Sequence, residues 1–281
     1  MKYGKPKSEG IEHLKAIMAQ LRDPANGCSW DIAQTFTSIA PYTIEEAYEV
    51  ADAIRKADMD ELCDELGDLL LQVVYLSQIA EEDSFFNFDA VVRQVTEKMI
   101  RRHPHVFDTD HVSDTASQAE NWETQKAAER ATKAAETGHS PSELDGIALG
   151  LPALSRAYKL QKRAARSGFD WPDSTAVLGK LNEEITELRA EIDTQNTSGI
   201  WEELGDLLFT VANLARKLGV DPEEALRESN AKFERRYRRM ESQIANEGYN
   251  LQECTATMFN VFWEAVKSAE RTVDEDKSSK T

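Results

Sequence analysis

The feature that most constrains this chain is an acidic motif that occurs twice, within segments of helical apolar periodicity. Each copy reads Glu-Glu-x-x-Glu and is followed, after the same interval, by Glu-Leu-Gly-Asp-Leu-Leu. The interval runs from Glu49 to Glu65 in the first copy and from Glu187 to Glu203 in the second. Carboxylates at this density repel one another unless a positive group holds them. The chain must therefore fold so that each acidic helix pair meets a cation.

The spacing places the acidic side chains of the second copy on shared helix faces. Residues three apart lie on one face of a helix, as do Glu184 and Glu187, and again Glu203 and Asp206. If the two helices pack antiparallel, these four carboxylates converge. Oxygen-only ligands favour Mg²⁺, with Mn²⁺ as the alternative. A lone motif is more often a solvated helix face, but its recurrence at equal spacing favours a metal site.

Apolar periodicity along the rest of the chain predicts an all-α fold. One helix is expected to begin near Pro41, and the next to cover about residues 60–80 with Leu66, Leu70 and Val73 among its buried side chains. The Gly of the Glu-Leu-Gly-Asp motif lies inside a predicted helix in both copies, where it costs about 1 kcal/mol relative to Ala. We interpret that glycine as a point of close approach between helices.

The duplication extends well beyond the acidic motif and sets the domain organisation. The block Trp-Glu-x-x-Lys-x-Ala-Glu-Arg begins at Trp122 and again at Trp263. Repetition on this scale indicates two copies of one helical domain. Glycines and a proline between 137 and 150 indicate a linker. We therefore predict an N-terminal domain at 1–136 and a C-terminal domain at 151–281.

The charge balance excludes several classes of partner. The formal net charge is −18, which disfavours binding to nucleic acid polymers or to anionic membranes. The three cysteines lie far apart and indicate neither a disulfide framework nor a zinc site. No uninterrupted apolar run is long enough to span a bilayer. A cytoplasmic location is expected.

A few basic and aromatic residues are candidates for contact with an anionic substrate. Lys232 and Arg236 are four apart and share a helix face, so they could hold phosphates. Asn230 lies just before them and could bond a phosphate or a base, or could be a surface residue. Trp263 could stack on a nucleobase, although a tryptophan at helical spacing is more often part of the core.

The motifs together identify a family. The chain resembles the MazG family of nucleoside triphosphate pyrophosphohydrolases, in its two-copy bacterial form, over about residues 10–270. The resemblance rests on these segments: EEAYE at 45–49, DELGDLL at 64–70, RRHPHVF at 101–107, NEEITE at 182–187, EELGDLLF at 202–209, NLAR at 213–216 and KFERR at 232–236. It implies duplicated all-α domains with four-helix-bundle cores completed by dimerisation, and a homodimer is therefore expected.

The resemblance also implies an activity and a set of site residues. The activity is Mg²⁺-dependent hydrolysis of nucleoside triphosphates with a broad range of bases, giving the monophosphate and pyrophosphate, as nucleotide-pool housekeeping. The C-terminal copy would hydrolyse, with Glu183 either supporting the metal ligands from behind or helping to orient the attacking water. The metal ligands would be Glu184, Glu187, Glu203 and Asp206. Contacts to phosphate would come from Lys180, Lys232 and Arg236, with Asn230 also in contact with substrate and Trp263 in contact with the base.

The N-terminal copy departs from the family pattern. Tyr42 stands at the position of Lys180, and Thr96 at that of Asn230. The corresponding carboxylates are all present: Glu46, Glu49, Glu65 and Asp68. We expect this copy to bind metal without efficient turnover. Two other interpretations of the whole chain stay open, a single-substrate all-α pyrophosphohydrolase of the dUTPase-like kind and a noncatalytic nucleotide-binding regulator.

Overall fold

The computed structural model describes residues 10–107, 125, 129, 140 and 142–278, and for 272–278 only the backbone. Its described residues contain helices and turns and no β-strand, so the predicted all-α class is confirmed. The helices are α1 Ile11–Leu21, α2 Ser29–Ile32, α3 Phe36–Lys56, α4 Met59–Glu82, α5 Phe88–Arg102, α6 Pro104–Phe107, α7 Ala153–Arg166, α8 Ser174–Asp193, α9 Thr197–Lys217, α10 Pro222–Asn246 and α11 Ala256–Ser278, with a 3₁₀ turn at Leu251–Glu253.

The chain divides into two compact units, Met1–Gln125 and Lys126–Thr281. Residues 137–139 and 141 of the predicted linker at 137–150 lie outside the described residues, as do Trp122 and most of its block. The domain boundaries proposed from the sequence therefore stay a prediction. Among the described helices none is long and apolar enough to cross a membrane, and the cytoplasmic location likewise stays a prediction.

Helix α3 begins five residues earlier than the sequence suggested. The Thr35 side chain accepts a hydrogen bond from the Ser38 backbone N–H, and the Ser38 hydroxyl bonds back to the Thr35 N–H. This reciprocal cap satisfies two backbone donors that the first turn would otherwise leave unpaired. Pro41 therefore lies inside the helix rather than at its start. Because the cap is built from a Ser in place of the usual Glu or Gln, it is a weak signal in the sequence.

Each unit contains an antiparallel hairpin that carries its acidic motif. In the N-terminal unit α3 packs along α4, and in the C-terminal unit α8 packs along α9. Asp58 caps α4 through its side chain and Asp173 caps α8 in the same way. These caps fix where each helix starts, which fixes the register of the glutamates about two to four turns later.

Each unit has its own cluster of buried apolar side chains. Met18, Ile39 and Val74 form the centre of the N-terminal core, together with Tyr75 and Ile79. In the C-terminal unit the cluster of Met240, Ile244 and Val266 joins α10 to α11. These contacts hold the helices in place through burial of apolar surface.

The predicted buried side of α4 is wrong in part. Leu66, Leu70 and Val73 are exposed, whereas Gln72, Val74 and Tyr75 face the core. The equivalent residues of α9, which are Leu204, Leu208 and Val211, are exposed as well. Gly67 and Gly205 lie next to these side chains, and a Cβ at either position would meet nothing within 4 Å. Within one chain, therefore, neither glycine is a point of close approach between helices, and that interpretation is wrong.

Candidate active site

Three carboxylates of the C-terminal unit meet at one point between α8 and α9. Glu184 and Glu187 lie on α8 and Glu203 lies on α9, and each offers an oxygen within 4.8 Å of the other two. Glu184 is only 4% exposed. The convergence follows from the three-residue spacing on α8 and from the antiparallel packing of the two helices. A carboxylate this buried needs a positive neighbour to remain charged.

Asp206 lies one turn after Glu203 on α9, and its negative charge repels the carboxylates of the same cluster. Partial burial, together with repulsion from Glu187, Glu184 and Asp206, raises the pKa of Glu203 above its usual value. Asp206 is thus close enough to contribute to the negative field, although it is not one of the three that converge. Repulsion of this kind falls when a cation enters the cluster.

The N-terminal unit carries a similar cluster. Oxygens of Glu46, Glu49 and Glu65 also lie within 4.8 Å of one another. Burial, followed by repulsion from Asp68 and Glu49, raises the pKa of Glu46. Gln72 donates a hydrogen bond from Nε2 to Glu46 Oε1 at 3.3 Å. The duplication has therefore kept the geometry of the carboxylates and not only their sequence.

The cation beside each cluster differs between the units. Lys180 Nζ lies 2.6 Å from Glu183 Oε1 and 3.1 Å from Glu184 Oε1. These hydrogen bonds, the one to Glu183 first, raise the pKa of Lys180. At the corresponding position the Tyr42 ring packs edge-on against Trp30, with 6.4 Å between centroids. Only the C-terminal cluster, among the described residues, has a lysine bonded to its carboxylates.

The donor set fits a hard divalent cation. Metal–oxygen distances of about 2.0–2.6 Å for Mg²⁺ and Ca²⁺ let one ion reach carboxylate oxygens that lie within a few ångströms of one another. The carboxylates at each convergence point offer oxygen ligands alone, which excludes a preference for softer metals. The residues present are therefore suited to a metal of the magnesium class.

Comparison with known proteins assigns the family. The model of the MazG nucleotide pyrophosphohydrolase domain matches residues 34–107 and 173–240, which contain the two acidic hairpins. A nucleoside triphosphate pyrophosphohydrolase of Escherichia coli K12 is 45% identical over 262 residues, covering 92% of this chain and 98% of its own. The chain belongs to the MazG family. A further relative, the nucleoside triphosphate pyrophosphohydrolase/pyrophosphatase MazG of Thermotoga maritima, is 42% identical over 95% of this chain and 100% of its own.

Within this MazG chain, the substrate contacts expected on α10 and α11 are not bonded to the carboxylates. Lys232 and Asn230 are exposed on α10. Arg236 donates from Nε to Glu270 Oε2 at 2.7 Å. Trp263 packs against the C-terminal core and lies 5.5 Å from the Phe233 ring. None of the described hydrogen bonds or ion pairs joins these four residues to the acidic cluster.

One residue of this MazG chain that the sequence did not single out is bonded to a candidate phosphate contact. Glu270 forms ion pairs with Arg236, Arg235 and Arg239. The hydrogen bond from Arg236, followed by that from Arg235, holds the pKa of Glu270 below its usual value. A signal was available, because Glu270 lies in the repeated Trp-Glu-x-x-Lys-x-Ala-Glu-Arg block. Glu270 accepts the hydrogen bond from Arg236 Nε and so orients the guanidinium. The two terminal nitrogens of Arg236 have no partner among the described residues.

Proposed function

We propose that this protein hydrolyses nucleoside triphosphates of several bases to the monophosphate and pyrophosphate, with Mg²⁺, in its C-terminal unit. The observation that carries the proposal is the convergence of Glu184, Glu187 and Glu203 beside Lys180. Mn²⁺ is the alternative metal because it accepts the same oxygen ligands. The names of the relatives support the same reaction.

In the proposed mechanism several side chains together neutralise the negative charge of the triphosphate. Mg²⁺ would be held by Glu184, Glu187 and Glu203, with Asp206 beside them, and would supply charge neutralisation and a more acidic water. Lys180, which bonds both Glu183 and Glu184, can shift to a phosphate oxygen, and Glu183 is then free to take the proton that the attacking water loses. Water adds to the α-phosphorus, the bond to the bridging oxygen breaks, and pyrophosphate leaves. Lys232 and Arg236 offset the charge of the departing pyrophosphate.

Product analysis with Mg²⁺ tests the reaction. Purified protein incubated with each nucleoside triphosphate should release pyrophosphate rather than orthophosphate, and EDTA should abolish the release because the carboxylates then lose their cation. Pyrophosphate from one base alone would instead support the single-substrate enzyme. No product from any base would support the noncatalytic regulator, and full activity in EDTA would contradict the metal mechanism.

We further infer that the protein is a homodimer. The exposed apolar stripe of α9, defined by Leu204, Leu208 and Val211, recurs on α4 at the equivalent positions. Exposed leucines in one row along a helix favour burial against an apolar surface, at about 1.5–3 kcal/mol for each side chain. A second copy of the chain offers the same stripe, so a symmetric contact can cover both.

Charge placed in the stripe should break the dimer. The double variant Leu204→Glu/Leu208→Glu is expected to raise the dimer dissociation constant at least about 100-fold, because four carboxylates enter one symmetric interface. Light scattering coupled to size-exclusion chromatography measures the change. Leu149→Glu is the matched control, since Leu149 is exposed in a loop outside the stripe. A double variant that stays dimeric would contradict the assignment of this face.

A further inference from the structure

A groove between α10 and α11 in the C-terminal unit is lined with arginines. It has a volume of about 410 Å³, and Arg235, Arg238 and Arg239 of α10 line it together with Val266 and Ala269 of α11. Residues three and four apart share a face of a helix, so the three guanidinium groups lie side by side and repel one another. All three side chains are more than half exposed, so a dissolved anion can reach them.

The carboxylates beside the groove neutralise only part of this charge. Glu270 accepts hydrogen bonds from Arg235 Nε at 3.2 Å and from Arg239 Nη1 at 3.3 Å through the same oxygen, Oε1. Through Oε2 it also pairs with the arginine that follows Arg235 in the sequence. Arg238 pairs with Glu234 at the surface. In the described part of the chain, these four guanidinium groups share two carboxylates, which leaves a local excess of positive charge on a chain whose net charge is −18.

Most of the hydrogen-bond donors in the groove are uncommitted. Among the described residues, Arg235, Arg238 and Arg239 each use one N–H group in an ion pair, whereas a guanidinium carries five. The planar fork of a guanidinium matches two oxygens of a phosphate group. A phosphate-bearing anion holds several such oxygens in a small volume. The donors of the groove therefore fit a phosphate-bearing anion better than a single carboxylate.

An amide on the groove wall has a buried atom without a partner. Gln243 lines the groove, and its Oε1 is buried with no hydrogen-bond partner among the described residues. Buried polar atoms are nearly always paired, so an orphan beside a groove points to a ligand. The two ends of an amide are told apart only by their partners, and a rotation of the group presents Nε2 to a phosphate oxygen. Gln243 thus adds a neutral donor to the arginines.

This groove is separate from the site of the proposed reaction. Among the described residues, its lining contains none of the carboxylates of the acidic cluster, nor Lys232 or Arg236, the candidate phosphate contacts of α10. Successive residues of a helix are about 100° apart around its axis, so Arg235 and Arg236 face different directions. A ligand in the groove would therefore meet side chains that no step of the mechanism uses.

The N-terminal unit lacks two of the three arginines. The interval that relates Thr96 to Asn230 places Pro104 at the position of Arg238, with a histidine at the next position. Helix α5, the counterpart of α10, ends at Arg102. The arginine face of α10 thus extends past the point at which α5 ends. The groove is therefore a feature of the C-terminal unit and not of the duplicated fold.

We propose that the groove between α10 and α11 is a second site, apart from the acidic cluster, that binds a phosphate-bearing anion. Arg235, Arg238 and Arg239 hold the oxygens of the anion, and Gln243 supplies the neutral donor. The anion balances the charge that the neighbouring carboxylates leave. Binding needs no divalent cation, because the arginines supply the positive charge. In this respect the groove differs from the acidic cluster, whose carboxylates repel an anion until a metal neutralises them.

Titration of the metal-free protein with pyrophosphate tests the second site. The full chain is stripped of metal with a chelator, which is then removed by dialysis because it is itself an anion, and binding is measured by isothermal titration calorimetry. The wild type should bind pyrophosphate saturably. The double variant Arg238→Gln/Arg239→Gln should weaken binding at least about tenfold, because charge-assisted hydrogen bonds to the anion are lost. Arg238→Gln alone changes a side chain that is 72% exposed and should give part of this loss.

Two further variants serve as controls. Arg227→Gln removes a positive charge from α10 outside the groove, where Arg227 pairs with Glu224. Lys232→Gln removes a candidate phosphate contact of the substrate site. Both should leave the dissociation constant of pyrophosphate at the wild-type value, because neither side chain lines the groove.

Three results would overturn the second site. They are a wild type that binds no pyrophosphate without metal, a double variant that binds as tightly as the wild type, and a loss in Lys232→Gln as large as that in the double variant. Circular dichroism melting establishes folding, and Arg238→Gln decides if the double variant does not fold. The titration contains neither metal nor triphosphate, so its result does not depend on whether the proposed reaction takes place.

Discussion

Glu184→Gln is expected to reduce Mg²⁺-dependent release of pyrophosphate by about 10³-fold, the scale at which loss of one charge-stabilising group acts on an enzyme. Glu184 is the most buried of the converging carboxylates and receives Lys180 at 3.1 Å. The amide keeps the shape of the side chain but removes its charge, so the cation loses a ligand while the hairpin stays folded. Steady-state kinetics over a series of Mg²⁺ concentrations measures the effect, and excess Mg²⁺ should restore only part of the rate.

The duplicated cluster provides the comparison for this prediction. Glu46→Gln makes the same change in the N-terminal unit, where Tyr42 replaces the lysine. We expect a far smaller loss of activity from it, since this cluster lacks the bonded cation that the triphosphate would use. Thermal melting of both variants separates a loss of chemistry from a loss of fold. Full activity in Glu184→Gln together with inactivity in Glu46→Gln would assign catalysis to the N-terminal unit instead.

The acidic clusters could be predicted from the sequence because they depend on local rules. The spacing of Glu184 and Glu187 fixes a shared helix face, and a short connection to α9 makes the helices antiparallel neighbours. Their convergence therefore needs no knowledge of the rest of the fold. The acidic motif also has the same spacing in both copies. That agreement makes the prediction of a metal site much stronger than one copy alone would.

The remainder of the site depends on tertiary packing, which periodicity does not describe. Apolar spacing cannot tell a face that meets its own core from one that meets another surface, so Leu66 and Leu70 were assigned to the wrong side.

Arg22→Met is expected to lower the free energy of unfolding of the N-terminal unit by about 2–3 kcal/mol, because it removes a buried guanidinium that pairs with Glu82 and satisfies two backbone carbonyls. Arg22 Nη2 lies 2.7 Å from Glu82 Oε2, and Nη1 donates to the carbonyls of Asp31 and Gln34. Met retains the aliphatic stem of the side chain, so the loss of stability measures the contribution of the guanidinium. Calorimetry of the full chain measures it, with a fall in the melting temperature of the N-terminal unit.

The pH dependence and a surface control make this prediction specific. Burial by itself would raise the pKa of Glu82, but hydrogen bonds from Arg22 and Gln78 outweigh it and hold the pKa below its usual value. The stabilisation from Glu82 is therefore present at neutral pH and is lost as the pH falls through the folded-state pKa, so the difference in stability between Arg22→Met and the wild type should shrink in strong acid. Arg55→Met removes an exposed arginine paired with Asp52 and should change stability by less than about 0.5 kcal/mol. Equal losses from the two variants would mean that the buried network does not hold α1 and the Trp30 segment against α4.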